Sequence, residues 1–106
     1  MEIIKAITSN KKEVVNAINS RDSMKKHKNE EITINGIVIF KDNDKTISSI
    51  KTSDDRYFSS VSESVKETLN TICSIFTKEQ ILEGIKVRIK NKMSRNDREY
   101  LIIELI

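Results

Sequence analysis

The chain has 106 residues, enough for one domain with a modest core and too few for two. Lys and Arg outnumber Asp and Glu by 19 to 16, a formal net charge of +3, so the surface is mildly basic and the position of the cations matters more than their number. The single cysteine excludes an internal disulfide. With no apolar run of about eighteen residues and no signal-type segment, the expectation is a protein of a reducing cytoplasm, away from membranes.

Residues 1–20 read as helical: in SNKKEVVNAINS, Val14, Val15 and Ile18 recur at helical spacing and Ser9 stands as N-cap. The polar, basic connector RDSMKKHKNE follows, so residues 1–30 are expected as an N-terminal helix and connector packed on a domain at 31–106. EITINGIVIFK predicts a long strand with Ile32, Ile34, Val38 and Phe40 on one parity, Gly36 marking a bend or bulge. KDNDK is a tight turn, TISSIKT a second strand, SDD a turn and RYFSSV a third strand.

Ser60 and Glu63 have capping-box spacing, and Val61, Val65, Leu69, Ile72 and Phe76 predict an amphipathic helix over 61–77. After the connector KEQILEG, IKVRIKNK alternates: Ile85, Val87 and Ile89 one way, Lys86, Arg88, Lys90 and Lys92 the other. The turn MSRNDR leads into EYLIIELI, with Leu101, Ile103 and Leu105 inward and Tyr100 and Ile102 outward. A helix followed by β-β-β-α-β-β is the order of a five-stranded OB-fold barrel with an N-terminal helix in front. The KDNDK turn is too short for the crossover helix of a ferredoxin-like fold.

Strand residues two apart share a face, so Lys86, Arg88, Lys90 and Lys92 form a row of cations about 7 Å apart. Such a row tracks a phosphodiester backbone and releases its counterions, although lysine also protects sheet edges. Arg95 and Arg98 extend the row, with only Asp97 among these cations to oppose them. Single-strand binding also needs ring faces on which unpaired bases stack. Phe76 and Phe40 fall on apolar stripes and belong to the core. Tyr57 and Phe58 are adjacent on a strand, so one is expected to be exposed, and Tyr100 has outward parity. Tyr57, Phe58 and Tyr100 are the stacking candidates, and Lys51 completes the candidate binding set.

Catalytic signals are missing. No HExxH, CxxC, GxSxG or Walker-type loop occurs. His27 lies in MKKHKN with no ligand partner nearby and reads as an exposed loop side chain or phosphate contact. The acid pairs Asp42 with Asp44 and Asp54 with Asp55 sit in turns without further metal ligands. Cys73, among Ile72, Ile75 and Phe76, reads as a small buried hydrophobe. The expectation is a binding protein with no cofactor and no metal.

The succession EVVNAINS…ITINGIVI…DDRYFSSVSESV…LNTICSIF…IKVRIKNKMSRNDREYLIIEL resembles the small single-stranded DNA-binding proteins of phages and prophages of Gram-positive bacteria. The most specific pieces are NAINS, the aromatic-x-S-V-S run at Phe58–Ser62, and the basic strand, turn and apolar last strand at Lys86–Leu105. The resemblance implies an OB fold and sequence-tolerant coating of single-stranded DNA during replication in the bacterial host's cytoplasm. Self-association and replication proteins are the further partners it implies. KDNDK replaces a longer loop of the relatives, TKEQILEG replaces a Pro-rich, Trp-containing turn, and Asp97 stands where a glycine is usual. Rival readings are an RNA-binding OB domain and a protein–protein adaptor or inhibitor subunit, since this barrel serves all three roles.

Overall fold

The computed structural model describes residues 1–20 and 22–106. Its elements are β1 (Glu2–Ile7), α1 (Lys11–Ile18), a 3₁₀ turn (Met24–His27), β2 (Glu31–Asp42), β3 (Lys45–Thr52), β4 (Tyr57–Ser60), α2 (Glu63–Ile75), α3 (Lys78–Glu83), β5 (Ile85–Met93) and β6 (Glu99–Leu105). The named strands pair antiparallel in the order β4-β3-β2-β5-β6, and β1 also pairs β2.

β2 organises this sheet because it is long enough to serve two partners along one edge. Its first half, Glu31–Ile34, pairs with β5, and its second half, Ile37–Lys41, pairs with β1. Between the halves the register against β3 slips, from Ile34 opposite Thr52 to Gly36 opposite Lys51. A Cβ on Gly36 would stand 3.0 Å from that of Lys51, so a bare backbone suits the bulge.

One inserted residue flips every side chain downstream. Ile32, Ile34, Ile37 and Ile39 therefore face the main core, with Ile50, Phe58, Leu69, Val87 and Leu101. Val38 and Phe40 turn to the opposite face and pack with Ala17, Val14 and Ile18 of α1. Simple alternation places Val38 and Phe40 with Ile32, and the bulge corrects it. Two hydroxyls tie α1 down: Ser49 Oγ donates to the Ala17 carbonyl at 2.9 Å, and Ser20 Oγ to that of Tyr57 at 2.9 Å.

The chain does not open on a helix. EIIKAI forms β1, whose backbone groups pair the second half of β2 along an edge that would otherwise be bare. The helix follows it, capped by Asn10 instead of Ser9, with the Asn10 side chain accepting from Glu13 N at 3.0 Å. α2 likewise begins later than the Ser60–Glu63 spacing predicts. Ser62 is its N-cap, accepting from Val65 N at 3.4 Å, and this leaves Val61 outside the helix and 64% exposed. Val65, Leu69 and Ile72 are buried, while Phe76 is the half-buried C-cap.

The expected connector KEQILEG is itself a short helix, α3, opened by a capping box between Thr77 and Gln80. Gly84 ends it at φ 125°, where an added Cβ would meet Thr33 Cγ2 at 2.7 Å. Gly84→Ala therefore combines a strained backbone with a clash. We expect it to destabilise the fold by about 1–3 kcal/mol, read as a melting temperature about 4 °C or more below that of the wild type.

The barrel is not closed. β4 and β6 share no ladder, and the sheet stays open between them. The seam is bridged instead by Ser62 Oγ, which donates to the Leu101 carbonyl at 3.1 Å, with α2 packed behind it. The outer edge of β4 is partly covered by the segment before the 3₁₀ turn, through a bond from Ser59 N to the Asp22 carbonyl at 2.9 Å. No described helix is long and apolar enough to cross a membrane.

Candidate nucleic-acid interface

The β5–β6 hairpin carries the basic row. Ile85, Val87 and Ile89 are buried in the main core, which fixes the alternate residues Lys86, Arg88, Lys90 and Lys92 on the outer face. The pairing register sets Arg88 opposite Glu104, Lys90 opposite Ile102 and Lys92 opposite Tyr100. A tyrosine ring and a lysine thus lie side by side across the strands at the turn end of the hairpin.

The turn between the strands is closed by bonds from Ser94 N to the Arg98 carbonyl (2.8 Å) and from Asp97 N to the Ser94 carbonyl (3.1 Å). Asp97 takes the left-handed conformation, φ 56°, which aspartate tolerates better than most residues and which explains how it fills a position suited to glycine. Arg95 and Arg98 stand exposed around this turn.

The six cations are not equivalent. Arg88 is paired with Glu31 on the neighbouring strand, and Lys90 lies 3.4 Å from Glu104. Among the described residues, no carboxylate reaches within 4.0 Å of Lys86, Lys92, Arg95 or Arg98. The free positive charge therefore gathers at the two ends of the row, and most of it lies around the 93–98 turn.

Of the other candidates, Lys51 and Phe58 leave the set. Lys51 is only 7% exposed; its Nζ donates to Asn35 Oδ1 at 3.1 Å and lies 3.3 Å from Asp55, so it braces the bulge. Phe58 is fully buried, because the Tyr57–Phe58 alternation gives Phe58 the core side. Tyr57 takes the outer side, half-buried against the α1 cluster. Tyr100 is the more open ring at 38% exposure.

His27 is not the exposed loop residue that the sequence suggests. Its ring stacks on Phe58 with centroids 3.9 Å apart, and carboxylate oxygens sit 2.8 Å from Nδ1 (Glu30) and 3.0 Å from Nε2 (Asp22). The Arg56 guanidinium lies 5.0 Å from the Phe58 ring centroid and pairs with Glu30 at 2.6 Å and Asp54 at 2.8 Å. Hydrogen bonds from Arg56, then from His27, hold the Glu30 carboxyl below its ordinary range, and the Thr52 hydroxyl is the main cause of a similar lowering at Asp54. This cluster braces the 3₁₀ turn against β4. Burial pushes the half-buried Cys73 thiol up, which opposes thiolate formation.

Against this geometry, a family model described as Phage Single-stranded DNA-binding protein matches residues 3–106. The chain belongs to that family. Its members are described as binding single-stranded DNA. No curated protein and no solved structure gives a significant match.

Sequence reasoning left Lys25 and Lys28 in a connector without a role and placed Val61 on the apolar stripe of the helix, which the structure does not bear out. All three line a groove of about 490 Å³ beside Tyr100, in the seam between the end of β4 and the hairpin. The run KKHK carried a signal of positive charge, but only the folded chain brings it next to β6.

Proposed function

We propose that this protein coats single-stranded DNA with little regard to sequence, in phage DNA replication within the host cell's cytoplasm, and acts by binding alone. The strand order β4-β3-β2-β5-β6, with α2 between β4 and β5, supports an OB-like reading, since that fold is a partly open Greek-key barrel. The observation that carries the reading is the pairing of Tyr100 with Lys92 beside the unpaired Arg95 and Arg98. One ring for any base and a cluster of charges for any backbone give affinity without a base-edge code. Lys86 extends the charged face, and Tyr57 offers a second, smaller ring surface.

Paired and unpaired cations should differ in their effect on binding. An unpaired lysine that meets a phosphate releases counterions from the strand, whereas Arg88 and Lys90 must first exchange a carboxylate. Replacing Lys92, Arg95 and Arg98 together with Ala should flatten the slope of log K against log salt by about 2, at about 0.7 per contact on a single strand. Replacing Arg88 and Lys90 should change it by well under about 1.4, the value for two unpaired contacts. Titration of labelled oligo-dT, oligo-rU and duplex DNA at several salt concentrations tests the whole reading. Preference for duplex, tighter binding of oligo-rU, or no binding would each overturn it.

A further inference from the structure

We propose that the open seam between β4 and β6 is itself part of the DNA track, one strand crossing it with a base against Tyr100 and its backbone against Lys25 and Lys28. This rests on the single-strand reading above and adds a location and new contact residues. The groove's volume, about 490 Å³, falls in the range of clefts that hold small organic ligands. One wall is the Tyr100 ring, and another is Val61, an apolar side chain that the late start of α2 leaves exposed. An exposed valine beside an exposed tyrosine gives a base apolar surface on two sides.

The charges of the groove favour an anion. Its two acids are engaged: Glu63 pairs with Lys66 at 2.8 Å, and Glu99 lies 3.7 Å from Lys28. Lys25 has no carboxylate partner among the described residues. Lys92, across the ladder from Tyr100, adds charge on the hairpin side.

The groove also continues. A smaller hollow of about 210 Å³ shares Lys25, Ser60 and Val61 with it and runs on to Ile47 and Ser59. Val61 thus borders two adjoining hollows, an arrangement that suits consecutive nucleotides of a polymer better than a single small molecule. By contrast, the hollow lined by Glu31, Asp54, Arg56 and Lys86 has Arg56 and Asp54 already paired with each other.

The test is the affinity and salt slope of oligo-dT for Lys25→Ala with Lys28→Ala, compared with Lys11→Ala with Lys12→Ala on α1. Both doubles remove two exposed lysines, but only the first pair lines the groove. The groove double should lower the slope by about 0.7 or somewhat more, since Lys25 is unpaired and Lys28 must first exchange Glu99, and the α1 double should leave it nearly unchanged. Val61→Asp, at a position outside the core, should weaken binding at least about tenfold through like-charge repulsion, with an unchanged melting temperature. Equal effects of the two doubles, or full affinity in Val61→Asp, would overturn the proposal. If these variants bind normally while the Lys92, Arg95 and Arg98 triple variant is impaired, the groove fails and the single-strand reading stands. If the wild type does not bind oligo-dT, both fall.

Discussion

Phe58→Ala should lower the free energy of unfolding by about 3–5 kcal/mol, the range for deleting a buried ring, while the folded fraction keeps its affinity for oligo-dT. The ring is fully buried in the main core and also carries the stacked His27 and the Arg56 guanidinium. Its removal opens a cavity and leaves those two polar groups without their apolar support. A domain of this size has about 5–15 kcal/mol in total, so the variant should sit close to its unfolding midpoint at moderate temperature. Urea denaturation gives the first quantity, and titration at a temperature where the variant is folded gives the second. A variant that stays stable but loses DNA would return Phe58 to the binding surface.

The same cluster adds an acid dependence with a defined sign. Glu30 has a folded-state pKa below its ordinary value, because Arg56 and His27 bond to its charged form. Its contribution to stability is present above the ordinary carboxylate range and is lost as pH falls through the lowered folded value. The side chain is partly exposed, so solvent screens the effect.

Alternation and turn chemistry made most of the strands readable. EITINGIVIFK, TISSIKT, RYFSSV, IKVRIKNK and EYLIIELI each became a strand within a residue or two of the expected bounds. The features that escaped are set by contacts distant in sequence. The bulge beside Gly36 shows as a glycine, but only pairing with β3 tells which way Val38 and Phe40 turn. EIIKAI has no period of its own, and the bare edge of β2 is what makes it a strand.

The basic row followed from parity alone, because Ile85, Val87 and Ile89 anchor it. That Arg88 and Lys90 are partly neutralised depends on Glu31 and Glu104, which the ladder brings across from other strands. The groove was hidden for the same reason. Lys25, Val61 and Tyr100 are far apart along the chain and meet only because the sheet fails to close.

Tyr100→Ala should weaken oligo-dT binding by about 1–3 kcal/mol, the range for one stacked base, or roughly five- to 150-fold in affinity. Tyr100→Phe should bind almost as well as the wild type, because the ring face and not the hydroxyl makes the contact. At 38% exposure and outside both core clusters, the side chain has little packing to lose, so neither variant should shift the melting temperature much. The competing account is that Tyr100 merely fills the seam as a structural wedge; it requires a clear fall in melting temperature for the Ala variant, with affinity preserved in the folded fraction. A spectroscopic readout separates the two without relying on affinity. The chain has two tyrosines and no tryptophan, so Tyr57→Phe leaves Tyr100 as the sole tyrosine emitter. Stacking predicts that saturating oligo-dT quenches this emission and that the quench disappears at high salt as the strand dissociates. Unquenched emission at saturation would mean that the strand passes elsewhere, and the stacking role of Tyr100 would have to be abandoned.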